Sequence, residues 1–195
     1  IFLNISIKFN FGVADPILQV NCKFVTIFKF NYSKNMSKLI SGKIISAQIN
    51  EELRKEVENL NERGVDPCLA VILVGQDAAS AIYVRNKKRT CEELGIKSVG
   101  HDLPETTSQD ELENIINELN NNPSVNGILN QFPLPNGLDE SRVIRKISPE
   151  KDVDGLHPLN AGLVAMGKPS FISCTPYGVL QMLKRSNIST SGKNA

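Results

Sequence analysis

Ser80, Tyr83 and Lys87 set a hydroxyl, a phenol and an amine along one stretch, SAIYVRNKKRTCEELG (80–95), that reads as a helix stopped by Gly95. Tyr83 and Lys87 are four positions apart and Ser80 precedes Tyr83 by three, so all three share a face that would ordinarily be apolar. A buried amine beside a ligand can exchange protons near neutrality, because burial lowers a lysine's pKa. It can also form a Schiff base with a carbonyl. The bland alternative is a solvated lysine in the basic run Arg85, Lys87, Lys88 and Arg89. Tyr83 is open in the same way: an amphipathic aromatic at a domain edge, or part of a site.

Two further segments carry polar groups. Gln131 follows an apolar run and precedes Pro133, and its amide can donate and accept at once, to a ligand or to loop backbone. Asp152 and Asp154 form D-x-D-G. A calcium loop of the EF-hand type needs glycine at position six and glutamate at twelve. Here Gly155 stands at four and Leu163 at twelve, so that reading is rejected. The two aspartates are either turn-forming and capping residues or include a carboxylate aimed at a ligand rich in N–H donors.

The elements that would position these groups are legible. Ile49, Leu53, Val57 and Leu60 have helical spacing over 47–63, with Gly64 just past the end. CLAVILVG (68–75) is a continuous apolar run suited to a central parallel strand. IKSVGHDL (96–103) and VNGIL (125–129) are the next strands. Ser108 and Glu111 make a capping box before a helix whose core face is Leu112, Ile115, Ile116 and Leu119, broken at 120–123. A short helix covers 140–147. The stretch SPEKDVDGLHPLNAG reads as loop, and Thr175 with Pro176 as the N-cap and first residue of a last helix through Ser186. Strands alternating with helices imply right-handed crossovers, hence an α/β fold: a three-layer open parallel sheet with helices on both faces. Ligands of such sheets bind beyond the carboxyl ends of the strands. The segments after 75, after 129 and around Asp154 all fall there, so amine, amide and carboxylate are expected in one pocket.

Composition narrows the classes. With 22 basic and 21 acidic residues the net charge is +1, which gives no support for nucleic-acid binding. No apolar run reaches membrane-spanning length, so no membrane partner is expected. Cys22, Cys68, Cys91 and Cys174 are widely spaced and only two histidines, His101 and His157, occur, so no metal site is expected and reduced thiols fit better. No G-x-G-x-x-G or Walker glycine loop is present. Residues 1–35 hold six of the eight phenylalanines, one acid and no arginine. They read as a non-native or poorly ordered extension before Met36, with a mitochondrial presequence as the alternative.

Taken together, VGQDAASAIYVRNKKRTCEELGI, NGILNQFPLP, PEKDVDGLHPLNAGLVAMGKPSFISCTPYGVLQML and LISGKIISAQI resemble the bifunctional methylenetetrahydrofolate dehydrogenase/methenyltetrahydrofolate cyclohydrolase family over residues 38–191. The resemblance implies an aminoacid-dehydrogenase-like N-terminal catalytic domain over 36–187. It also implies that 188–195 begin a Rossmann domain for NADP or NAD, of which the rest is not in this sequence. A hydride would pass from the methylene carbon to the nicotinamide, and water would then open the methenyl cation to formyl-tetrahydrofolate. The family's catalytic lysine falls on Lys87, its assisting glutamine on Gln131, its ring-packing tyrosine on Tyr83, its substrate-binding serine on Ser80 and its pterin-binding aspartate on Asp154. Tetrahydrofolate derivatives are the implied partners. NADP or NAD belongs to the longer parent, and this chain is expected to bind neither tightly and to lack the hydride-transfer step. The family's homodimer is not expected of this chain, and the implied compartment is the cytoplasm, or the mitochondrion if 1–35 are a presequence. Two departures stand out: Asn130 where family members commonly carry an apolar residue, and Phe132 where leucine is common.

Overall fold

The computed structural model describes residues 39–193. The expectations for residues 1–35 and for the start at Met36 lie outside the described residues.

β1 (Cys68–Val74) is buried along its whole length. It sits at the centre of a parallel sheet of order β2-β1-β3, flanked by β2 (Lys97–Leu103) and β3 (Gly127–Asn130). Side chains alternate along a strand, and here both sets are apolar because both faces are covered. Leu69, Val71 and Leu73 join Leu129 in a cluster with Ile45, Ile49, Leu53 and Val57 of α1 (Gly42–Glu62), Val84 and Leu94 of α2 (Ala78–Leu94), and Met182 of α6 (Cys174–Arg185). Ala70, Ile72 and Val74 join Ile128 in a second cluster with Leu112, Ile116 and Leu119 of α3 (Gln109–Asn121) and Val143 of α4 (Glu140–Lys146). Each large side chain so buried contributes about 1.5–3 kcal/mol. The architecture is therefore the three-layer α/β sheet with helices on both faces.

Helix ends are set locally. Ser41 caps α1 by accepting from the Ile44 N–H, so this helix starts at Gly42, five residues before the expected start at 47, and buries Ser46 in its added turn. Both halves of the Ser108–Glu111 capping box are made. Ile115 is only partly buried, at the margin of its cluster. Gly95 closes α2 with φ +77, a left-handed conformation that glycine takes without steric cost.

Two expectations need correction. The stretch read as loop after Ser148 contains α5 (Pro158–Ala165), capped by the His157 ring nitrogen, which accepts from the Leu159 N–H. Its signal was hidden because the cap is a histidine and the helix has no polar stripe; Asn160 is its buried residue. The last helix begins at Cys174, with Ser173 in the N-cap position and no side-chain cap bond, so Thr175 is not the cap. Pro176 is tolerated because the N–H groups of a helix's first turn have no intrahelical acceptor. Beyond that helix, Ile188 folds back onto the α1/α2 cluster.

Candidate functional site

The sheet continues past its named strands at the carboxyl end. The Gln131 N–H donates to the Ile72 carbonyl at 2.8 Å, and the Ile128 N–H donates to Lys151 O at 2.7 Å. The first bond extends β3 into Gln131; the second brings Lys151 and Asp152 alongside β3 as a one-residue bridge. Both segments lead to the end of the sheet where α2 begins, and a cleft of about 240 Å³ opens there. Lys87, Gln131 and Asp154 line it, with Asn130, Phe132, Leu156, Ser173, Cys174 and Thr175.

Lys87 is not solvated despite its basic neighbours: it is 7% exposed. Its Nζ donates to Gln131 Oε1 at 3.2 Å, while Gln131 Nε2 donates to the Phe132 carbonyl at 2.6 Å. The amide therefore uses its donor to fix itself to the backbone and its acceptor to hold the amine. Ser80 and Tyr83 lie toward the start of the same helix, and neither lines the cleft. Ser80 is buried, and both its backbone N–H and its hydroxyl serve the carboxylate of Asp77, the α2 N-cap. Tyr83 is partly buried.

The two aspartates separate cleanly. Asp152 is buried and committed: its Oδ2 accepts from the His157 N–H at 2.8 Å and from Asn160 Nδ2 at 2.9 Å. Asn160 also donates to Pro149 O and accepts from Ser170. This is the turn-forming reading. Asp154 instead lines the cleft, where desolvation pushes its carboxyl pKa up and the like charge of Asp152 adds to the rise. The Lys87 amine and the Cys174 thiol oppose it. Asp154 thus keeps some exposed surface yet is enclosed deeply enough for its charge to be costly.

Sequence reasoning read Thr175 only as a helix cap and Cys174 only as a reduced thiol, and placed neither in the cleft. Their signal is Gly155, whose φ is +65 and whose added Cβ would sit 2.6 Å from the Ile172 carbonyl carbon. That close approach packs the Asp154 turn against the start of α6.

Asn130 is 2% exposed and neither its Oδ1 nor its Nδ2 finds a partner among the described residues. It pairs with Ile72 and falls two residues after Ile128 on the same face of β3, at the edge of the cleft. An unpaired buried polar group costs about 1–3 kcal/mol. Asn130→Leu, of similar shape, is therefore expected to stabilise the domain by about 1–3 kcal/mol, read as a higher urea midpoint with unchanged slope.

Dinucleotide folds hold the pyrophosphate at the helix N-terminus after the first strand. Here that position carries the Asp77 carboxylate, which already takes the Ser80 N–H. An acid there repels a phosphate, so these residues do not fit a dinucleotide in that turn. No cluster of metal-ligating side chains occurs among the described residues. No helix among them is long and apolar enough to cross a membrane.

Fold and cleft together define an α/β domain with a candidate site beyond the carboxyl ends of its parallel strands. The tetrahydrofolate dehydrogenase/cyclohydrolase catalytic domain matches residues 40–154, and the chain belongs to this family. The bifunctional protein FolD of Agathobacter rectalis is 54% identical over 159 residues, spanning 82% of this chain and 57% of that protein. The crystal structure of FolD from Campylobacter jejuni superposes with a TM-score of 0.78 at 45% identity, over 79% of this chain and 55% of that one. A Trypanosoma brucei FolD, solved with NADP cofactor and an inhibitor, gives a TM-score of 0.73 at 32% identity, over 77% and 52% of the two chains. The chain spans about half the length of the curated relatives it matches.

Proposed function

We propose that this domain binds tetrahydrofolate derivatives in the Lys87–Gln131–Asp154 cleft and supports hydrolysis of methenyl- to formyl-tetrahydrofolate. In a longer enzyme of this family the same cleft would also present the methylene carbon to NADP or NAD. The observation that carries the reading is the Lys87 Nζ to Gln131 Oε1 bond at 3.2 Å, in a cleft whose remaining carboxylate is Asp154.

The chemistry asks for three acts. A pterin edge presents several N–H donors, and a carboxylate accepts two in parallel, which fixes orientation; that is the role given to Asp154. Water must then add to the electron-poor methenyl carbon and lose a proton. The ring C–N bond breaks, a proton goes to the departing nitrogen, and the formyl group remains. Lys87 is placed to move those protons, and Gln131 holds its nitrogen in place while the Phe132 carbonyl holds the glutamine. Tyr83, partly buried one turn before Lys87 on α2, is assigned to pack against the part of the folate ring system that extends beyond the cleft, while Ser80, buried and bonded to Asp77, supports the start of that helix.

The test is titration of the chain with tetrahydrofolate across pH. The folded pKa of Asp154 is raised by burial, so the free carboxyl is still partly protonated above the usual carboxylate range near 3.9. Affinity should fall as pH drops through that raised value, and Asp154→Asn should flatten the dependence. Stability runs oppositely. Between the unfolded and folded pKa the folded state binds more protons, so raising pH through that window destabilises the domain. Wild-type binding that does not respond to Asp154 would overturn the assignment. Binding without hydrolysis of the methenyl form would select a non-catalytic folate-binding role, for which the solvent-open cleft is the structural support.

A further inference from the structure

The first residue of α6 is tied to the Asp154 turn at more than one point. The Cys174 N–H donates to the Asp154 carbonyl at 3.3 Å, and the Cys174 thiol donates to the Val153 carbonyl at 3.4 Å. The Asp154 carboxylate is a neighbour of the same thiol, and each group influences the protonation of the other. Cys174 is 7% exposed and lines the cleft beside Lys87 and Asp154. Burial and the adjacent carboxylate push its thiol pKa far up, so it stays an S–H donor and is not a nucleophile. The steric side matches. Gly155, next to Asp154, approaches the Ile172–Ser173 backbone so closely that a Cβ would lie 2.6–2.7 Å from three of its atoms.

The S–H donates to Val153 O, with the Asp154 carboxylate as its charged neighbour. Enclosure makes the charge of Asp154 costly; Lys87 and the thiol offset that cost, while Asp152 adds to it. The bond to the Val153 carbonyl fixes the thiol at the turn and leaves the Asp154 carboxylate able to accept N–H groups of a ligand. A hydroxyl could do the same, whereas a methyl could not.

We propose that Cys174 is a positioning residue: its thiol and backbone N–H hold the Asp154 turn so that the carboxylate faces the cleft for its ligand. This rests on the folate reading only for the identity of the ligand.

The test has two arms. The first needs no ligand: the Asp154 side-chain carboxyl is titrated by ¹³C NMR in the wild type, Cys174→Ala and Cys174→Ser. Its neighbours are Lys87, Asp152 and Cys174. Loss of the donor should move the Asp154 titration to higher pH in the alanine variant, and serine should restore it. Unchanged titration in Cys174→Ala overturns the proposal. The second arm measures tetrahydrofolate affinity calorimetrically. Cys174→Ala should weaken it about tenfold, with serine recovering most of the loss. In an Asp154→Ala background the Cys174→Ala change should add nothing, because the thiol acts through that carboxylate. Equal loss in both backgrounds means a general structural role and overturns the proposal. A wild-type chain that takes up no tetrahydrofolate sinks the folate reading alone, and the first arm still decides the role of Cys174.

Discussion

Lys87→Met should lower methenyl-tetrahydrofolate hydrolysis by about 10²–10⁴-fold, the range of a lost proton-transfer group, while tetrahydrofolate still binds. Methionine keeps the long unbranched stem and suits a position only 7% exposed. The fold should therefore hold. What disappears is the amine and its bond to Gln131 Oε1. Gln131 keeps its second anchor through Nε2 to the Phe132 carbonyl. Asp154, on a separate turn, keeps its acceptor atoms for the ligand. The measurement is decay of the methenyl chromophore, with a parallel tetrahydrofolate titration. Hydrolysis at the wild-type rate removes Lys87 from the mechanism. Loss of binding equal to the loss of rate would make it a binding residue instead.

Gly155→Ala should destabilise the domain by about 2–5 kcal/mol, from left-handed backbone strain together with overpacking against rigid atoms. The atoms a new Cβ would meet are backbone: Ile172 carbonyl carbon and oxygen, and Ser173 nitrogen. No side chain can rotate out of the way. Gly64 supplies the control, since its φ is +78 but nothing lies within 4 Å. Alanine there meets the strain without the collision, so Gly64→Ala should cost clearly less. Urea unfolding of the two variants separates the terms. Equal losses would mean that the Gly155 approach is not tight. The same substitution should weaken tetrahydrofolate binding at Gly155 and leave it unchanged at Gly64, because only the former carries Asp154.

The layered sheet was legible because its signals are local and strong. CLAVILV offers no polar face, which only a strand covered on both sides permits, and Ser108 with Glu111 announces a helix start whatever follows. The convergence of Lys87, Gln131 and Asp154 was legible from the carboxyl-end rule for parallel sheets together with the family resemblance. What escaped were features set by tertiary contact. Whether Lys87 points to solvent cannot be read from a run of basic residues; its partner Gln131 lies 44 positions away. Asp152 and Asp154 look alike in D-x-D-G, and only Asn160 and His157 show which one is committed. α5 escaped for want of an ordinary cap, and Cys174 because a solitary thiol carries no pattern.

The central place of β1 also sets an order of events during folding. Its register partners are not neighbours in the chain: Cys68 must wait for Lys97, and Leu69 for Gly127. Non-local parallel pairing of this kind is slow, since the intervening loops must close before any ladder bond forms. Until then the most apolar segment of the domain has only the flanking helices to shield it. α1 precedes it in synthesis and already presents Ile49, Leu53 and Val57 as a stripe. Contact between α1 and β1 needs only a short loop to close, whereas each ladder bond needs a longer one, so the helix is the partner that β1 can meet at the lower entropic cost.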